Sequence, residues 1–171
     1  MRPSGVHRLR RLVPFALLPL LAGCWWYGFA GGGLPDHIRT VAIIPFENLT
    51  TSPDLQIELA NELEEEVGRW LHLRAASEDR ADAVIRGTLR RYETDIPMAL
   101  AADRQQATGG RRRLEIALDI AIVDQTTGKT LWERNGLVVA GEYDESREIE
   151  GRRQALEEIA TALIEGAQSQ W

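Results

Sequence analysis

A chain of 171 residues with 26 acidic and 20 basic side chains has the size of one ordinary domain, large enough to build a packed core. Arg2, Arg8, Arg10 and Arg11 lie in the first 23 residues, which hold no acid, so the net charge of −6 for the whole chain becomes −10 for the 148 residues that follow. An acidic domain of this kind is excluded as a general nucleic-acid binder, and a single cysteine excludes a disulfide framework.

The basic start is followed by an apolar run, Leu12 to Ala22, that closes on Leu21-Ala22-Gly23-Cys24. Positive residues, a short apolar stretch and small residues before a cut form the pattern of a secretory signal. The run is shorter than the roughly 20 residues needed to span a bilayer, and Pro14 and Pro19 oppose a stable helix there. The stretch resembles the lipobox of bacterial lipoproteins. That resemblance implies removal of residues 1–23 and acylation of Cys24, and Trp25 after the cysteine, where Asp would hold an enteric lipoprotein at the inner membrane, implies travel to the outer membrane. Each buried methylene contributes about 0.8 kcal/mol, so one acyl chain holds weakly and several hold durably. Residues 24–39 are then expected to be the lipidated cysteine and a flexible tether. Its Trp25-Trp26-Tyr27-Gly28-Phe29 tract is suited to the headgroup level or to packing on the domain. Gly31 to Gly33 is not a phosphate loop, because no Gly-Lys-Ser/Thr follows.

The domain is expected over residues 40–171. Thr40 to Phe46 is a β-branched run that reads as a strand buried on both faces and ended by Pro45. Glu47 to Thr51 reads as a loop, and Ser52-Pro53 as a helix start with Ser52 as cap. Leu55, Leu59, Leu63, Val67, Trp70 and Leu71 then recur at helical spacing, with Glu62 and Glu64 to Glu66 on a solvated face. Ala81 to Glu93 and Arg113 to Asp124 alternate as half-buried strands. Gln125 to Gly128 is a hairpin loop with glycine at a left-handed position, and Thr130 to Gly141 returns as a strand. Ile149, Leu156, Ile159, Ala160, Leu163 and Ile164 mark a final helix. The order β-α-β-β-β-α predicts an α+β two-layer sandwich, with a four-stranded, mixed, mostly antiparallel sheet and both helices on one face.

Several stretches together resemble the LptE family of lipopolysaccharide-assembly lipoproteins, in the form found outside enteric bacteria. They are the lipobox ending at Cys24, Trp26-Tyr27-Gly28-Phe29, Leu34 to Val41, Pro45-Phe46-Glu47-Asn48-Leu49-Thr50, Ala81 to Gly87, Val123-Asp124, Thr127-Gly128-Lys129 and Leu131-Trp132-Glu133. The resemblance implies a non-catalytic outer-membrane component, anchored at the periplasmic face, that partners and plugs the translocon β-barrel LptD and assists lipopolysaccharide transport.

The residues agree that no reaction is written here. There is no Gly-x-Ser-x-Gly and no His-Glu-x-x-His, His37 and His72 stand apart, and an acylated Cys24 is no nucleophile. No metal or cofactor site is expected, and acid pairs such as Asp144-Glu145 are too common to mark one. The stretch with functional character is 90–113. Arg90 and Arg91 end one predicted strand, Arg111, Arg112 and Arg113 open the next, and a long polar loop lies between. Paired as a hairpin, these arginines are expected to cluster. Either Glu93, Asp95 and Asp103 neutralise them, or they grip an anion such as a lipid phosphate, or they dock on an acidic barrel lumen. A second reading is a periplasmic scaffold or regulator of a cell-wall synthase or secretion complex, since such lipoproteins share the Val-Ala-Ile-Ile-Pro-Phe style of opening. The short tether favours a partner in the same membrane.

Overall fold

Five side chains on alternate positions of one strand organise the core: Leu114, Ile116, Leu118, Ile120 and Ile122 are all buried to 1% exposure or less. The structure is a computed structural model, and it describes residues 33–97, 111–144 and 146–169. Cys24, the signal, the aromatic–glycine tract, Asp103 and Glu145 lie outside the described residues. The elements are β1 (Thr40–Ile43), β2 (Glu47–Asn48), α1 (Leu55–Trp70), β3 (Arg74–Ala75), a 3-10 turn (Glu78–Arg80), β4 (Ala83–Pro97), β5 (Arg111–Asp124), β6 (Thr130–Asp144) and α2 (Glu148–Ser169).

The fold is α+β with two helices and a mixed sheet, but the sheet has six strands rather than the four expected. Their order is β3-β1-β4-β5-β6, with β2 also paired to β4. β1 runs parallel to β3 and β4, β2 runs parallel to β4, and β4, β5 and β6 are successively antiparallel. The two additional strands have two residues each, too short to show a period. Glu47–Asn48, expected in a loop, rejoins the sheet opposite Thr88 and Leu89 after Pro45 has interrupted the ladder. The ring of Phe46 lies over Gly87, where a Cβ would stand only 2.6 Å from ring atom Cε1.

Two boundaries and the exposure of two side chains also differ. The N-cap of α1 is Asp54, not Ser52. Asn48 holds the preceding loop, donating to the Ser52 carbonyl at 2.8 Å and accepting from the Thr50 N–H at 2.9 Å, so the helix starts later. Leu55, Leu59, Leu63 and Val67 are buried as predicted, but Trp70 points outward at 58% exposure while Leu71 turns in against the core. In α2 the buried series is Gly151, Ala155, Ile159, Leu163 and Ala167 with Leu156, Ala160 and Ile164; Ile149 lies off it, 73% exposed. Ile38, expected in the tether, is 5% exposed in the core, and Leu34 packs against that core, so the folded region holds these residues too.

α2 approaches β6 closely. A methyl group at Gly141 would overlap the Gly151 carbonyl, and one at Gly166 would overlap the Trp132 ring. β1 is buried on both sides as expected: Val41 joins the main core, and Ala42 packs with Ala81 and Val84 in a smaller cluster. Both helices contribute to the main core on one face of β4–β6. Among the described residues no helix covers the other face, here called the open face.

Candidate functional site on the open sheet face

Strict alternation along β4 would carry the inward series Ala83, Ile85, Leu89 on to Arg91. It does not, because the β4–β5 register slips between Leu89 and Arg91. Arg90 is the extra residue of a β-bulge. Arg91 then falls opposite Ala117 and shares the open face with it, while Tyr92 turns inward against the core. A second slip between Glu93 and Ile96 places Asp95 at φ 60, a left-handed conformation that Asp tolerates. Its N–H donates to the Tyr143 hydroxyl at 2.9 Å, and that hydroxyl lies 3.1 Å from Asp95 Oδ1. Through these two bulges β4 runs on to Pro97, four residues beyond the alternation readable in the sequence.

The five predicted arginines are therefore not gathered in one place. Arg113 faces Ile96 and Arg112 faces Pro97, whereas Arg91 lies farther along the ladder. Arg90 is bound to Asp119, and Arg91 lies 3.5 Å from Glu93. Arg112 lies 3.4 Å from Asp95 on the side that Tyr143 occupies. Arg111 and Arg113 come together on the open face, each 3.9 Å from the carboxylate of Glu142 on β6. Two guanidinium groups thus share one carboxylate at long range, with all three side chains substantially exposed. Of the neutralising acids expected, Glu93 and Asp95 do pair with arginines.

Sequence reasoning missed two partners. Glu142 lies on the third strand, and only register brings it to Arg111 and Arg113. Asp119, at the centre of β5, is bracketed by bulges on both neighbours. It accepts from Arg90 Nε at 2.6 Å and from the Gly136 N–H at 2.8 Å. Gly136, at φ 66, fills the β6 bulge, and no side chain is crowded there. Arg90 and then the Gly136 N–H hold the Asp119 carboxyl below the usual carboxylate range.

His37 is not isolated. Its Nε2 lies 2.9 Å from Asp124, which is 2% exposed. Asp124 also accepts from the Thr127 hydroxyl at 2.7 Å and from the Thr126 N–H at 2.7 Å. These bonds, that of the Thr127 hydroxyl foremost, hold its carboxyl down at about 2. Gly128 closes this hairpin loop at φ 70, as its placement predicted. Asp82 serves the same end of the sheet, accepting from the N–H groups of Arg39 and Thr40 at 3.0 and 2.9 Å.

The helix side is acidic. A groove of about 670 Å³ between α1 and α2 is lined by Glu62, Glu65, Glu66, Glu157 and Glu165, with Arg69 and Arg153 as the cations. Burial, followed by repulsion from Glu157, Glu66 and Glu65, raises the Glu62 carboxyl. Among the described residues, no three His, Cys, Asp or Glu side chains converge as metal ligands, and no helix is long and apolar enough to cross a membrane.

A family model described as lipopolysaccharide-assembly (LptE) matches residues 38–168. No curated protein matches the chain by sequence. Among solved structures, the Xanthomonas campestris protein XCC0632 is 13% identical with a TM-score of 0.52, over 77% of this chain and 84% of that one. This likeness shows the fold. A minor lipoprotein from Acinetobacter baumannii is 14% identical, TM-score 0.47, over 79% of this chain and 94% of that one. The PelC dodecamer from Paraburkholderia phytofirmans is 16% identical, TM-score 0.45, over 78% and 88%.

Proposed function

The chain belongs to the LptE family of lipopolysaccharide-assembly proteins, and from that premise we propose that it is an acylated partner and plug of the LptD-type translocon barrel, with its open sheet face turned to lipopolysaccharide. The family is one of non-catalytic outer-membrane lipoproteins, and its role in lipopolysaccharide assembly extends to this chain. In this reading residues 1–23 are removed, Cys24 carries the lipid at the periplasmic face of the outer membrane, and the domain starts near Leu34.

One observation carries the choice of surface. Arg111 and Arg113 share the Glu142 carboxylate at 3.9 Å each, longer than a hydrogen bond. Guanidinium groups bind phosphate through paired, charge-assisted hydrogen bonds, so a lipid A or core phosphate gains more from these two side chains than one distant carboxylate does. Arg90, committed to Asp119 within the sheet, is expected to hold structure rather than ligand.

The test is isolation of the acylated protein from outer membranes in mild detergent, with mass spectrometry of the proteins that accompany it. A near-stoichiometric barrel of LptD type is the expected result. Recovery of a cell-wall synthase, or of a ring of this protein alone, would overturn the barrel reading in favour of a scaffold.

A further inference from the structure

β6 is an edge strand. β5 pairs with one side of it, and no strand among the described residues pairs with the other. The opposite edge of the sheet, β3, is two residues long, too short to template a further strand, whereas β6 has 15 residues. In an antiparallel ladder the N–H and carbonyl of one residue turn to the neighbouring strand and those of the next turn away. Two bonds fix that phase on β6. The Glu142 N–H donates to Gln154 Oε1 of α2 at 3.1 Å, and the Asp144 carbonyl accepts from the Arg147 N–H at 2.7 Å. Glu142 and Asp144 therefore turn their backbone groups away from β5. The register runs without a slip from Val138 opposite Ala117 to Asp144 opposite Arg111, so Ala140 and Val138 turn theirs away as well.

The outward groups of β6 are not treated alike. At Glu142 and Asp144 the start of α2 takes them up. At Val138 and Ala140 no backbone or side-chain group among the described residues meets them. Edge strands are ordinarily protected by charges, proline or bulges. On β6 these devices lie at the flanks, in Glu133, Arg134 and the Gly136 bulge on one side and Glu142 on the other. Between them Gly136 to Gly141 carries no charge, and Val138 is half exposed.

We propose that the β6 edge from Leu137 to Ala140 takes up an extended segment of the barrel partner as a further strand of the sheet. The inference rests on the barrel reading above. The bare N–H and carbonyl groups call for an extended peptide, because backbone in strand conformation presents acceptors and donors at the matching spacing. The uncharged run calls for apolar or β-branched side chains on that segment. Size selects the source. A contact through two hydrogen-bonding residues lies far below the about 1,200 Å² that a stable interface buries, so a second copy joined here alone would not hold. A segment that adds to a larger contact, such as a plug makes with its barrel, would.

The experiment is amide hydrogen exchange resolved to single residues. It compares the acylated protein alone in mild detergent with the same protein isolated together with its barrel. The Val138 and Ala140 amides are expected to exchange about tenfold or more slowly in the complex, while those of Leu137 and Val139, already bonded to β5, change less. Two variants supply a second readout. V138P removes the outward N–H and leaves the bonds to β5 in place, and V138K sets a charge on the edge should proline disturb the strand. Barrel recovered per lipoprotein is expected to fall about twofold or more in both, at an unchanged melting midpoint in V138K. A complex in which the Val138 and Ala140 amides exchange as in the protein alone would overturn the inference and leave the barrel reading standing, as would full barrel recovery by both variants. An isolate without a barrel would overturn that reading and this inference together. Slowing that appears without the barrel and grows with protein concentration would reassign the edge to a second copy.

Discussion

The two faces of the β4–β5–β6 sheet are made from the same strands and obey different rules. On the covered face every position is decided by fit: five alternate side chains of β5 are sealed, and α2 lies so near β6 that Gly141 and Gly151 meet without room for a methyl. On the open face the strands carry bulges at Arg90 and at Asn135–Gly136, a central carboxylate that ties the two together, and arginines held to acids at distances of up to 3.9 Å. The covered face is closed by fit, whereas on the open face Arg111 and Arg113 each stand 3.9 Å from their shared acid, Glu142.

The most severe way to test that division is to alter the covered face by one carbon. Gly141→Ala forces α2 off β6, and overpacking of this kind is expected to cost about 3 kcal/mol, read as a fall in the urea midpoint at unchanged slope. A loss below about 0.5 kcal/mol would mean that the helix is not seated as closely as Gly151 indicates.

The two aspartates of β5 give the next comparison, one on each face. Asp124 is sealed and its carboxyl is held at about 2, below the ordinary value near 4 of an unfolded chain. A depressed acid contributes stability that is present above the unfolded value and lost as pH falls toward the folded one. Melting temperatures should therefore decline between about pH 4 and pH 2. Asp124→Asn should be less stable at pH 7 and show a shallower acid decline. An unchanged acid profile in that variant would assign the decline to other carboxyls, Asp82 and Asp119 among them.

Asp119 on the open face should matter less. Asp119→Ala strands the Gly136 N–H and releases Arg90, at a cost of about 1 kcal/mol in the same unfolding assay, since solvent reaches both groups. The smallest effect on stability is expected from Arg111→Ala combined with Arg113→Ala: within about 0.5 kcal/mol, because exposed pairs to a shared carboxylate contribute little. A large loss from that pair would make these arginines part of the scaffold and erase the contrast between the faces.

Much of this was legible in the sequence, and the exceptions share a cause. The three long strands and both helices announce themselves through periods of two and near four that persist for several turns or pairs, as in Leu114 to Ile122 and Leu55 to Val67, and β1 through its β-branched run. Glu47–Asn48 and Arg74–Ala75 pair through two residues, where no period exists. The arginines were visible as candidates, but their arrangement was not. A bulge at Arg90 leaves no sequence mark when the next residue is also arginine, and it displaces the hairpin register that would have set Arg90 and Arg91 nearer Arg113. Glu142 became a partner only through the register of a third strand, itself shifted by Gly136. The glycine was readable; the residue it would bring into line was not. Trp70 shows the same limit on a helix, since the stripe that buries Leu71 passes close enough to include it by spacing alone.

The central claim is that the Arg111–Arg113 end of the open face meets the anionic part of lipopolysaccharide. The direct measurement is titration of purified lipopolysaccharide onto the acylated protein in detergent, for the wild type and for the Arg111→Ala/Arg113→Ala variant, with thermal melts of both. The account predicts a loss of affinity of about tenfold or more, the equivalent of one charge-assisted contact at about 1.4 kcal/mol, with unchanged melting. Equal affinity in a folded variant would contradict it.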